Sequence, residues 1–205
     1  MSEDEKLLTA YHEGGHALVS LHVKGADPVH KVTIMPRGRA LGVTWQLPTR
    51  ERFSTNMHEL TARLAVLMGG KAAEEVVYGS DKVTTGCSSD LKAASALARA
   101  MVMKYGMGGR HVALDPEDYG KMSEETKKQV DDGVNVLLND AYQKAKAVVV
   151  KHSLSLHRIA SALVKFETLN YEQVRLAATG GDMAVEGLGG KCVPTKANQV
   201  DTTKM

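Results

Sequence analysis

From Leu7 to Val23 the chain has no proline, and Leu7, Leu8, Tyr11, Ala17, Leu18 and Leu21 supply apolar faces at helical spacing. Ser2 can cap this helix, and Glu3, Asp4 and Glu5 stand where the helix macrodipole favours negative charge. The pattern then changes. Val29 to Pro36 and Ala40 to Pro48 are rich in β-branched and apolar residues, with turn chemistry at Pro36-Arg37-Gly38-Arg39, which predicts a hairpin or two-strand ribbon. Helical spacing returns at Leu60, Leu64, Leu67 and Met68, so a helix capped by Ser54 or Thr55 is expected to run to about Val77, with Gly79 as its stop signal. Gly69-Gly70 lie inside it and are costly there unless another backbone approaches closely.

After a loop from Ser80 to Cys87, Ser88 or Ser89 can cap a helix from about Asp90 to Tyr105, ended by Gly106. A long helix from about Ser123 to His152 follows, then helices from about Ser155 to Glu167 and from Tyr171 to Thr179, the last opened by a capping box of Asn170 with Gln173. Beyond Gly180-Gly181 no period is visible to Met205. The expected fold is mainly α with a small β ribbon, one domain over residues 1–179 and a loose tail over 180–205.

Composition narrows the function classes. With 205 residues and 43% hydrophobic content the chain can bury a core, and a formal charge of +2 gives no argument for nucleic acid or a membrane surface as partner. No apolar run approaches the ~20 residues of a membrane span, and the acidic N-terminus lacks the order of a secretory signal, so the chain as given is expected to be soluble. Cys87 and Cys192 lie far apart, which argues against a disulfide framework and for a reducing compartment. The low aromatic content, 4%, suits helix-on-helix packing.

The candidate chemistry sits on the first helix. Tyr11-His12-Glu13-Gly14-Gly15-His16 contains an H-E-x-x-H run. Residues four apart share a helix face, so His12 and His16 can reach one zinc ion while Glu13 points at its open coordination position as general base. A catalytic zinc usually has three protein ligands, and several residues compete for third place. His22 occupies the metzincin spacing, but Val19 stands where that pattern needs glycine, so the helix carries His22 round to a surface or packing position. Glu74 and Glu75 could ligate as in gluzincins, accept a hydrogen bond from a ligand imidazole, or pair with a Lys or Arg. Cys87 would suit zinc as a soft ligand but reads better as a small buried thiol. Asp90 is the fourth candidate.

A resemblance bears on that choice. His12-Glu13-Gly14-Gly15-His16, Ile34-Met35-Pro36-Arg37-Gly38, Gly69-Gly70-Lys71-Ala72-Ala73-Glu74-Glu75 and Thr84-Thr85-Gly86 through Asp90-Leu91 occur in an order that resembles the peptidase domain of FtsH-type AAA membrane proteases. Ala100-Met101-Val102, Tyr105-Gly106-Met107, Leu156-His157-Arg158 and Glu167-Thr168-Leu169 extend the similarity over roughly residues 5 to 179. The stretches Ala40-Leu41-Gly42-Val43-Thr44-Trp45-Gln46-Leu47-Pro48 and Cys87-Ser88-Ser89-Asp90 are most similar to the mitochondrial i-AAA branch.

The resemblance implies a zincin-like helical metalloprotease domain in which the aspartate of the T-T-G-x-x-x-D motif, here Asp90, completes the zinc shell with His12 and His16. It implies that Gly42, Val43 and Thr44 belong to an edge strand on which substrate lies extended. It also implies membrane-anchored homo-hexamers of the mitochondrial inner membrane that unfold proteins with an AAA ATPase module and hydrolyse them in quality control. The chain holds no G-x-x-x-x-G-K-[S/T] loop, so ATP would enter only through a module outside it. The expected activity is zinc-dependent endopeptidase cleavage of unfolded polypeptides, with Glu13 taking a proton from water and returning it to the leaving amine. The rival expectations are a ring-forming structural or regulatory module with a lost or non-catalytic metal, and a stand-alone gluzincin-type peptidase.

Overall fold

The computed structural model describes residues 2–36, 41–47, 54–108, 113–181, 183–186 and 191–194. Helix α1 spans Glu3–His22 and opens with a capping box, in which the Glu5 amide donates to Ser2 Oγ and the Ser2 amide to Glu5 Oε2. Every residue from Glu13 to Ser20 is buried, so this half of α1 is enclosed on all sides. It runs through the core, flanked by α3 (Gly69–Tyr78) and α6 (Ser153–Phe166) and touching α2 (Met57–Leu67) and α5 (Glu124–Lys151). Helix α5 buries Val130, Val134, Leu137, Ala141, Ala145 and Val149, an apolar stripe at helical spacing, and packs on α2, α3 and α4 (Ser88–Met103).

The helix expected to run to Val77 is broken at Met68 into α2 and α3. The close backbone approach that Gly69-Gly70 called for is supplied by α1. A Cβ on Gly15 would lie 2.4 Å from the Gly69 carbonyl oxygen and 2.6 Å from Ala73 Cβ, and one on Gly69 would lie 2.8 Å from the Gly15 carbonyl oxygen. At Gly70 a Cβ would meet the His12 ring at 2.5 Å. The cap of α2 is Asn56, with Glu59 completing a capping box, two residues later than Ser54.

The ribbon forms with shorter strands than the pattern predicted, β1 (Val29–Thr33) antiparallel to β2 (Val43–Gln46). Residues 37–39 of the expected turn lie outside the described residues. A third strand, β3 (Thr168–Asn170), joins β1 on its other side, giving the order β2-β1-β3 and leaving β2 at the edge. Its three residues, wedged between two helices, are too few to show a period. Glu167 makes this junction possible. It ends α6 in the left-handed region (φ 59°), and its carbonyl accepts from the Ile34 amide at 2.9 Å and the Thr33 hydroxyl at 3.0 Å.

Helix α7 (Tyr171–Thr179) starts from the Asn170–Gln173 capping box and ends at Gly180, φ 81°. Beyond it, β4 (Met183–Glu186) pairs antiparallel with β5 (Lys191–Pro194); residues 182, 187–190 and 195–205 lie outside the described residues. No helix among the described residues is long and apolar enough to cross a membrane.

Gly15→Ala should force α1 off the α2–α3 junction and lower stability by about 2 kcal/mol, a fall of roughly 4–8 °C in Tm measurable by thermal circular dichroism. An unchanged Tm would show that the crossing tolerates a methyl group.

Candidate metal centre and active site

One turn of α1 puts His12 and His16 on a common face, with Nε2 atoms 3.2 Å apart and rings edge to face. Asp90, in the first turn of α4, reaches them across the loop. Its Oδ2 lies 3.1 Å from His12 Nε2 and 3.3 Å from His16 Nε2. The loop is organised for this delivery: the Gly86 amide donates to Thr84 Oγ1 at 3.2 Å, and the Cys87 thiol to the Thr84 carbonyl at 3.0 Å. Two imidazole nitrogens and a carboxylate oxygen are donors that zinc accepts. Tetrahedral bonds of about 2.0–2.1 Å hold ligand atoms about 3.3–3.4 Å apart. The observed edges of 3.1, 3.2 and 3.3 Å therefore fit one face of such a tetrahedron.

The far nitrogens of both rings are engaged. His12 Nδ1–H donates to Glu74 Oε1 at 2.7 Å, and His16 Nδ1–H donates to the Val66 carbonyl at 2.7 Å, so each ring turns its Nε2 towards the triangle. Val66 lies in the last turn of α2, where its carbonyl faces the Met68 amide of the helix end as well as the His16 ring. Glu74 is fully buried, and its Oε2 accepts from the Thr84 amide at 2.7 Å, which ties the loop before Asp90 to the ring of His12.

The electrostatics follow from this crowding. Burial disfavours a charged His12, but the carboxylates of Asp90 and Glu74 outweigh it and hold the imidazole at a pKa of about 10. Burial likewise opposes ionisation of Asp90 and Glu74. Hydrogen bonds from His12 and His16 to Asp90, and from His12 and the Thr84 amide to Glu74, overcome it and keep both carboxyls below their ordinary values. The surplus of negative charge that favours a proton on His12 is the charge a divalent cation would neutralise.

Glu13 lines the same cleft, which has a volume of about 930 Å³. The residue is 6% exposed, and its Oε2 accepts a 2.6 Å hydrogen bond from Thr44 Oγ1 in β2. Gly42 abuts it: a Cβ there would lie 2.7 Å from Glu13 Cγ and 2.8 Å from Oε1. Gly42, Val43 and Thr44 all line the cleft, so the edge strand forms one wall of it.

The remaining candidates fall elsewhere. The two roles open to the glutamates besides ligation are divided between them: Glu74 accepts from His12, while Glu75 pairs with Lys146 at 2.8 Å and accepts from the Tyr142 hydroxyl. Cys87 is buried, and burial pushes its thiol pKa up. His22 stacks on His152 with centroids 3.7 Å apart, and burial, then His152 and Lys151, lower its pKa. His157 binds the Tyr11 hydroxyl at 2.8 Å. The Val66 carbonyl and the Thr44–Glu13 bond carry no sequence signal, because neither an end carbonyl nor a strand threonine announces its partner.

The family model of peptidase family M41 matches residues 1–176. The chain is 43% identical over 190 residues to the ATP-dependent zinc metalloprotease FtsH of Rickettsia typhi, covering 88% of this chain and 30% of that protein. It is 46% identical over 179 residues to the ATP-dependent zinc metalloprotease FTSH 11, chloroplastic/mitochondrial, of Arabidopsis thaliana, covering 85% and 22%. Against the FtsH of Caulobacter vibrioides it is 43% identical over 187 residues, covering 85% and 30%. The chain thus spans less than a third of the length of these curated relatives.

Glu74→Gln replaces an acceptor of two hydrogen bonds with an amide that must turn its NH₂ towards one of the donors. Zinc affinity, measured by competition with a chromophoric chelator, should fall about 10- to 100-fold, whereas Glu75→Gln should leave it nearly intact. Equal losses in both variants would contradict the division of labour between the two glutamates.

Proposed function

This chain belongs to peptidase family M41, and on that premise we propose that it is the zinc-dependent endopeptidase domain of an ATP-dependent, membrane-anchored protease. The observation that carries this reading is the triangle of His12 Nε2, His16 Nε2 and Asp90 Oδ2, whose edges suit three corners of a zinc tetrahedron and leave a fourth for solvent. We assign His12, His16 and Asp90 as the metal ligands, Glu13 as the catalytic base, residues 1–179 as the metalloprotease domain and 180–205 as a C-terminal tail.

Zinc, when bound, supplies Lewis-acid activation of water and of the scissile carbonyl. Glu13 takes a proton from the attacking water as its oxygen bonds to the carbonyl carbon, then delivers a proton to the amine nitrogen as the C–N bond breaks. Its side chain lines the same cleft as His12, His16 and Asp90. Glu74 orients His12 and the Val66 carbonyl orients His16, so both rings meet the metal without further movement.

Substrate lies extended along Gly42, Val43 and Thr44 and pairs with the edge of β2 that no strand among the described residues covers. Main-chain pairing gives affinity without reading side chains, which suits a protease acting on many unfolded sequences. The relatives' ATP dependence supports an AAA ATPase module in the full-length protein, and the chloroplastic/mitochondrial name of one of them supports a mitochondrial site; the resemblance to FtsH-type proteases adds a homo-hexamer that works in protein quality control at the inner membrane.

Glu13→Gln should bind one zinc per chain, read by metal analysis, yet lose cleavage of a quenched fluorescent peptide by at least about 100-fold. Asp90→Asn should lose zinc during dialysis that the parent survives. Turnover at the parent rate in Glu13→Gln, or full zinc retention in Asp90→Asn, would refute the corresponding assignment. The isolated chain should cleave unfolded polypeptides and leave a stably folded protein intact when no ATPase is supplied, as read on gels.

A further inference from the structure

Pairing with an extended substrate uses the backbone of β2 and leaves the side chain of Thr44 without a role. That side chain points at Glu13. Its single hydroxyl proton has two acceptors in range, Glu13 Oε2 at 2.6 Å and the Glu13 carbonyl at 3.4 Å, and distance decides for the carboxylate. The hydroxyl is itself held still. Thr44 is β-branched, which restricts its rotamers, and it is registered opposite Val32 in the middle strand. No Lys or Arg lines the cleft among the described residues, so Thr44 is the protein donor that the structure gives to this buried carboxylate.

We propose that Thr44 is a positioning residue for Glu13, fixing Oε2 by its hydroxyl so that Oε1, beside the bare α-carbon of Gly42, is the oxygen that takes and returns the proton. The inference deepens the assignment of Glu13 as base and rests on it. The bond serves both halves of the cycle. Oε2 accepts from Thr44 when the carboxylate is ionised, and again as the carbonyl oxygen when Oε1 carries the proton. Gly42 leaves the space that Oε1 needs, since a Cβ there would stand 2.8 Å from it. The strand that receives substrate is thereby the strand that aims the base.

Three variants test this. Thr44→Val keeps the shape and strand preference of threonine and removes the hydroxyl. It should lower kcat about 10- to 100-fold with KM within about twofold and zinc content unchanged. Thr44→Ser, which restores the hydroxyl, should recover most of kcat; if the valine variant does not fold, Thr44→Ala carries the same expectation. A readout independent of turnover is a cycle of Thr44→Val and Glu13→Ala in the metal-free chain, where shifts in the urea midpoint should fail to add. A normal kcat with raised KM would make Thr44 a substrate contact and overturn the inference, as would strictly additive midpoints. Turnover surviving Glu13→Gln would remove the base assignment and this inference together. Normal kcat in Thr44→Val beside an inactive Glu13→Gln would remove this inference alone.

Discussion

The structure depends on a crossing of two backbones with no side chain between them. Gly15 of α1 meets Gly69 at the α2–α3 junction at distances no Cβ could occupy, and Gly70 faces the His12 ring in the same way. Contact this close brings the end of α2 within reach of His16, so the Val66 carbonyl can orient that ring, and it sets α3 where Glu74 can reach His12. A single alanine-sized spacer would lift the rings from both partners. The glycines that make poor helix on their own are therefore what lets one helix be aimed by the end of another.

Around that crossing the charges are arranged to tolerate burial. Glu74 is fully enclosed and would be expensive as an anion alone, but it accepts from an imidazole and a backbone amide at 2.7 Å each. Asp90 is more open, gains from its place in the first turn of α4 and shares its Oδ2 between two rings. The loop from Thr84 to Cys87 links these two carboxylates mechanically. Its amide holds one, and the helix that follows carries the other, so the position of Asp90 is referred back to the ring it approaches.

The parts of this arrangement legible in the sequence were those governed by a single helical period. His12, Glu13 and His16 could be placed on a helix and their faces inferred, and the Asn170–Gln173 box marked the start of α7 correctly. Gly69-Gly70 announced a close approach but not which backbone would make it or that the helix would break there. Asp90 stands 74 residues beyond His16, and no spacing rule spans such a gap; only resemblance to a family pointed to it. Asn56 caps α2 in place of Ser54 or Thr55, which offer equivalent chemistry beside it. Strand β3 leaves no trace in the sequence because three residues cannot display alternation, and its pairing is dictated by where α6 stops.

That stopping point bears on the order in which the molecule can be assembled during synthesis. The imidazoles leave the ribosome first and the aspartate follows, but β1 gains its second neighbour only when Thr168–Asn170 emerges, and an isolated two-stranded ribbon is marginal in water. The left-handed turn at Glu167, by handing its carbonyl to Ile34 and Thr33, makes the wall of the cleft one of the last features to solidify. A nascent chain would thus hold His12, His16 and Asp90 for some time before the wall opposite them had become firm.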